Sequence, residues 1–196
     1  MQFNYKGNKI DRERELFNTL TGSLSLDTKY IDENFGEIDD EAELDNAVTK
    51  KTSKSYGYSI SVPKSWAGID TDYEEDLVSY VTSFGTFSIN IDTRDISASE
   101  YADAIKQYIL QNSSDSVLGS RVKTATTQTI NGMFFSQIET EAPNAERPYN
   151  TLLYIVDRPD KKGVVILSVN LSNAHDTSAN RAKISKAVES LTFTSK

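Results

Sequence analysis

The chain has 196 residues, of which 37 % are hydrophobic and 26 % charged, with ten Tyr and eight Phe, enough for one domain that buries roughly 70 % of its unfolded surface. Its 29 acids against 21 bases leave a net charge of −8, a field that repels phosphate backbones and anionic lipid, so nucleic acid is excluded as an expected partner. The absence of cysteine removes disulfides, thiol nucleophiles, iron–sulfur clusters and thiolate zinc sites together; no apolar run reaches the ~18 residues of a membrane span, and the N-terminus lacks the apolar core of a signal peptide.

Residues 1 to 55 are polar and acidic. Asp11 to Leu20 reads as a short helix with Leu16, Phe17 and Leu20 on one stripe and Gly22 placed to end it. Between Asp32 and Asp45 lie eight acids, including Asp39, Asp40, Glu41 and Glu43, and no base. Asp40 with Glu43 has capping-box spacing, so a second helix is expected through Leu44, Ala47 and Val48. Lys50 to Ser55 reads as a linker, which sets an expected boundary: an acidic extension over 1–55 and a domain over 56–196.

Beyond Tyr56 the pattern turns strand-rich. Tyr58, Ile60 and Val62 alternate until Pro63, which cannot donate to a ladder, ends the strand. Trp66, the sole tryptophan, follows. Leu77–Thr82 and Phe87–Ile91 make the next pair, turning near Gly85. Ser97 and Glu100 form a capping box ahead of a helix over about 98–111, whose Tyr101, Ile105, Tyr108 and Ile109 share a face. Asn131-Gly132 between 121–129 and 133–141 is the strongest short hairpin pattern. Strands over 151–156 and 163–171 are nearly continuous in apolar residues, as strands covered on both faces are. Asp176 is placed to cap a last helix with Ile184, Ala187, Val188 and Leu191 as its buried stripe, and Phe193 closes the domain. The expected fold is α+β: an antiparallel sheet with helices on both faces, an α/β/α sandwich with hairpin connectivity.

Candidate chemistry is sparse. His175, the only histidine, reads as an exposed loop residue; as a general base it would need a serine that no Gly-x-Ser-x-Gly elbow nominates. One histidine also excludes histidine-rich metal sites. Asp70, Asp72, Glu74, Glu75 and Asp76 crowd seven positions and offer a weak carboxylate-only Ca²⁺ loop, against a plain reading as a solvated acidic loop. No Gly-x-Gly-x-x-Gly or Gly-Lys-Ser/Thr phosphate cradle is present, and no cofactor is expected. Trp66 reads as core, with a ligand wall as the alternative.

Tyr56-Gly57-Tyr58-Ser59-Ile60-Ser61-Val62-Pro63-Lys64-Ser65-Trp66, the helix around Tyr101-Ala102, Thr129-Ile130-Asn131-Gly132 and Ser190-Leu191-Thr192-Phe193, taken in that order, resemble the PsbP-like family, which includes DcrB-type bacterial lipoproteins. The resemblance spans about residues 56–196. It implies a non-enzymatic binding or accessory module, first of all an extracytoplasmic bacterial lipoprotein domain, lipid-anchored upstream and monomeric, that docks a protein or cell-envelope partner. A cytoplasmic adaptor or immunity-type protein that masks a basic partner is the second reading, and an undetected Ser/Asp hydrolase around His175 the third. The expected partner surface is acidic, at Asp39, Asp40, Glu41 and Glu43, with Trp66 and Tyr73 as an apolar patch.

Overall fold

The computed structural model describes residues 41–69, 77–113, 119–159 and 162–194, with backbone alone at 41–43 and 77. In chain order the elements are α1 (Glu41–Asn46), β1 (Val48–Ser53), β2 (Tyr58–Pro63), β3 (Ala67–Ile69), β4 (Leu77–Thr82), β5 (Gly85–Asp92), α2 (Ala98–Asn112), β6 (Arg121–Ile130), β7 (Met133–Ala142), β8 (Tyr149–Asp157), β9 (Val164–Ser172), a 3₁₀ turn (Asn173–His175), α3 (Ser178–Glu189) and β10 (Thr192–Phe193). The helix expected over 11–20 lies outside the described residues.

Two antiparallel sheets form, one of three strands in the order β1-β2-β10 and one of seven in the order β3-β4-β5-β9-β8-β7-β6. The single sheet read from the sequence is therefore divided: β2 leaves the main sheet and pairs with β1 from Val48–Pro63 to Ser53–Tyr58. Lys50–Ser53, read as linker, is strand, and the expected second helix stops at Asn46, before Val48. The physical reason is pairing. A lysine- and threonine-rich segment has no apolar stripe of its own, but as an edge strand it satisfies β2's backbone and exposes its lysines to water.

The main core lies between the inner face of the seven-stranded sheet and a layer made of β2 and α3. From the sheet come Phe87, Ile89, Phe135, Leu152, Tyr154, Val165, Leu167 and Val169; from β2 come Tyr58, Ile60 and Val62; from α3 and its end come Ile184, Val188 and Leu191. Each such side chain contributes about 1.5–3 kcal/mol when fully buried. On the outer face α2 lays Ala98 and Ala102 over Ile138, Ile155, Val164 and Ile166. Helices thus cover both faces of the sheet, as the two apolar strands β8 and β9 require.

Local chemistry sets the ends of these elements. Ser97 caps α2, with the reciprocal bond from its backbone N–H to Glu100 at 2.9 Å. Thr177, not Asp176, caps α3, accepting from the Asn180 N–H; Asp176 is drawn instead to Arg181. Asn131 and Gly132 both have positive φ, 50° and 78°, the two-residue turn expected of this dipeptide. At Gly85 (φ +147°) an added Cβ would lie 2.0 Å from the Asn170 carbonyl oxygen, so only glycine lets β5 begin this close to β9.

Candidate functional site

The cross-sheet register explains where the outer face is covered and where it is open. One row runs from β3 to β6 as Ile69, Ser79, Ser88, Ser168, Leu153, Ile138 and Ala125. Its apolar half lies beside and beneath α2; where the helix no longer reaches, the same row turns to serine. The next row reads Val81, Thr86, Asn170 and Thr151. Over β3, β4, β5 and β9 the outer face is therefore a flat surface of uncharged polar side chains tied to one another. Ser79 and Ser88 hydroxyls meet at 3.1 Å, the Asn170 amide donates to Thr86 at 3.2 Å, and Thr151 donates to Asn170 at 2.9 Å. Among the described residues two large apolar side chains stand exposed on it, Val81 at 50 % and Ile69 at 43 %.

Between this surface and α2 runs a groove of about 470 Å³ with Tyr101 and Ile105 on the helix wall and Asn90, Leu153, Ile166 and Ser168 on the floor. Tyr108, one turn further along the same stripe, stands 69 % exposed. Asp92 and Arg94 close one end as a pair, Arg94 Nε donating to both carboxylate oxygens at 3.0 and 2.9 Å. Those hydrogen bonds hold the Asp92 carboxyl below its ordinary range despite some burial. Burial, and then the Asp92 charge, push the Tyr101 hydroxyl up, so it stays protonated. The groove thus offers an aromatic wall, a neutral polar floor and a self-satisfied ion pair, which suits a protein or peptide surface better than a strongly charged metabolite.

The densest polar cluster lies elsewhere, at the end of the inner face. Arg181 on α3 reaches Glu139 on β7 at 3.0 and 3.3 Å and Asp176 at 2.5 and 2.8 Å. Lys123 adds a bond to Glu139 at 2.8 Å, and Asn150 donates to Asp176 at 2.9 Å. Burial pushes the Glu139 carboxyl up, but the bonds from Arg181 and Lys123 outweigh it and the net direction is down. Asp176 is lowered chiefly by Arg181, and Arg181 is raised by Asp176 and Glu139. Every charge there is matched, so the cluster clamps α3 to the sheet and leaves no group poised to take or give a proton.

The residues nominated from the sequence scatter. Trp66 is 5 % exposed and packs on Phe87, Phe84 and Tyr80 with ring centroids 4.9, 5.7 and 6.4 Å away; it fills the core and forms no surface patch, because the turn after Pro63 folds it back under the sheet. Glu41 and Glu43 are on α1, while Asp39, Asp40, Tyr73 and the acidic loop Asp70, Asp72, Glu74 and Asp76 lie outside the described residues. His175 sits exposed in the 3₁₀ turn, and among the described residues its ring makes no hydrogen bond or ion pair; the adjoining Asp176 is committed to Arg181 and Asn150. No group of three or more metal-ligating side chains occurs among the described residues. The sequence reading missed Val81 and the groove floor, although a trace exists: β9 is apolar without break through Leu167 and alternates only from Ser168 on.

No protein-family model and no curated protein matches the chain. Among solved structures it is similar to cyanobacterial PsbP (CyanoP) from Synechocystis sp. PCC 6803, with 12 % identity over 76 % of this chain and 93 % of that one and a TM-score of 0.54. It is also similar to the Ran-binding protein Mog1p of Saccharomyces cerevisiae, with 10 % identity over 75 % and 95 % of the two chains and a TM-score of 0.49. The architecture is thus the α+β, PsbP-like fold.

Proposed function

We propose that this chain is a non-enzymatic module that docks another protein through the groove between α2 and the open half of the seven-stranded sheet. The observation that carries this reading is the row in which Leu153 and Ile138 give way to Ser168, Ser88 and Ser79 where α2 ends its cover, leaving Val81, Ile69 and Tyr108 exposed around a neutral floor. Exposed apolar and aromatic side chains rimmed by satisfied polar groups are the makings of a recognition surface. The likeness in fold to PsbP supports an accessory role in the same general sense. We further propose the setting implied by the family resemblance, an extracytoplasmic, lipid-anchored bacterial protein; incorporation of labelled palmitate into the protein in its native host tests that part separately.

In-cell cross-linking, with identification of the captured protein, tests the docking reading. Val81→Asp together with Tyr108→Ala should abolish capture of the partner while leaving the thermal transition in place, and Lys50→Ala, on β1 away from the groove, should not. Capture that survives both substitutions beside the groove, or turnover of an ester or phosphate substrate that His175→Ala removes, would overturn it.

A further inference from the structure

Natural sheets blunt their edges with lysines, prolines, bulges or short strands. At one end of the large sheet the edge strand β3 is three residues long. At the other, β6 runs for ten residues, and among the described residues nothing pairs with its outer side. The register shift between Val122 and Thr124 breaks the ladder at one end, and the Asn131-Gly132 turn ends it at the other. Between them lies Thr124-Ala125-Thr126-Thr127-Gln128-Thr129-Ile130, with no charge, no proline and no glycine.

In a two-residue turn of this kind the flanking residues exchange both backbone hydrogen bonds, and such pairs alternate with non-bonded ones. Ile130–Met133 is that flanking pair, and Gln128–Phe135, Thr126–Gln137 and Thr124–Glu139 share its phase. The N–H and C=O groups of Ala125, Thr127 and Thr129 therefore point outward. Thr127 stands at the midpoint of the segment between bulge and turn. A second β6 laid antiparallel about Thr127 opposes Ala125 to Thr129, Thr127 to Thr127, Thr126 to Gln128 and Thr124 to Ile130. All six outward groups are then paired. No like charges meet, and threonines facing one another across a ladder are favourable pairs. On the outer face, Asp103 and Lys106 of α2 line the hollow beside Ala125 and Thr127, so each copy brings both signs of charge to the neighbourhood of the two-fold axis. Lys123 of one copy would fall opposite Asn131 of the other, next to Glu189, whose carbonyl accepts from Asn131.

We infer that β6 is a self-complementary edge, and that two copies of the chain associate through it as an isologous pair with one continuous sheet, in place of the monomer expected from sequence. This association goes beyond the docking reading and does not depend on it. A seven-residue edge contact lies at the small end of specific interfaces, so the association is a weak one that depends on concentration.

Sedimentation velocity over a concentration series reads it directly. The mass should rise from one chain towards two as concentration increases. Thr127→Pro should hold it at one chain with an unchanged thermal transition, because that N–H points away from β7 and no described strand pairs with that side of β6. Should the proline variant fail to fold, Thr129→Lys gives the same test with the backbone intact. Since the chain has no cysteine, Thr127→Cys should oxidise to a single species of twice the chain mass, Cα atoms of a bonded pair lying about 5.5 Å apart, within disulfide reach; Lys50→Cys, on the small sheet, should not. One-chain mass at every concentration, a dimer untouched by substitution at 127 or 129, or equal cross-linking from positions 127 and 50 would each overturn the inference. The substitutions Val81→Asp and Tyr108→Ala, on the exposed surface beside the groove, should leave the dimer intact.

Discussion

Arg181→Leu isolates the clamp that holds α3 to the sheet. Its guanidinium makes four bonds to Glu139 and Asp176, with side-chain exposures of 39 %, 11 % and 18 % for the three residues. Breaking a fully buried pair costs about 3–5 kcal/mol and an exposed one about 0–1; the intermediate exposure places this loss near 2 kcal/mol, or roughly 4–8 °C in a domain of this size. Both carboxyls have lowered folded pKa values. In the wild type they therefore add stability that is fully present above their unfolded values near 4, and that is lost as pH falls through the lowered folded ones. In the leucine variant Glu139 keeps its burial and loses its main donor, so its folded pKa moves up and the penalty falls away as the group protonates. Thermal melts of both proteins from pH 7 to pH 4 should show a gap widest at pH 7 that narrows on acidification. A gap under about 0.5 kcal/mol at pH 7, or one that is constant across the range, would refute the clamp.

Other outcomes are sharper in direction than in size. Trp66→Ala should cost about 3–5 kcal/mol in urea unfolding, since it empties the contact with Phe84, Phe87 and Tyr80, and the emission of the lone tryptophan in the wild type should shift to the red only when the fold is lost. Gly85→Ala should destabilise by more than ~1 kcal/mol by calorimetry, because neither the positive φ nor the Asn170 carbonyl leaves room for a Cβ. His175→Ala should change stability by less than about 0.5 kcal/mol. A chain cut to begin at Tyr56 should melt lower than one cut at Glu41, because the first lacks β1 and the bond of Asp45 to Ser65, 2.5 Å; equal melting would restore the boundary read from the sequence.

Most elements with an apolar stripe were legible before any coordinates, because their chemistry is local: the Ser97–Glu100 box, the Asn131-Gly132 turn and the period of Ile184, Val188 and Leu191 need only near neighbours. What was not legible depends on partners far along the chain. β1 has no pattern of its own and becomes a strand only because β2 offers it a ladder. Asp176 has the right type and place for a cap, yet Arg181 outbids the helix N-terminus and leaves that role to Thr177. The groove escaped for a related reason: Leu153 and Ser168 are 15 positions apart in sequence but adjacent in register, so the change from covered to open surface runs across strands rather than along any one of them.

The distribution of charge separates the two kinds of contact this protein is equipped to make. Residues 1–43 carry eleven acids and five bases, and residues 70–76 five acids and no base, so these two segments hold more than the whole net charge of −8 and the remaining positions together carry three positive charges. Among the described residues of that remainder, seven acids stand in ion pairs: Asp45 with Lys183, Asp92 with Arg94, Asp95 with Lys162, Asp103 with Lys106, Glu141 with Arg121, and Glu139 and Asp176 with Arg181. Any long-range attraction for a basic partner must therefore originate in the two acidic segments, whereas the groove floor and the β6 edge are neutral and act only at contact. Replacing Asp39, Asp40, Glu41 and Glu43 by their amides should accordingly slow association with a basic partner and flatten its dependence on salt between roughly 50 and 500 mM, where screening shortens to a few ångströms, while self-association through β6 stays unchanged or strengthens slightly as like-charge repulsion falls. An association rate indifferent to those four substitutions would mean that the acidic run is solvation alone and that recognition rests on the groove.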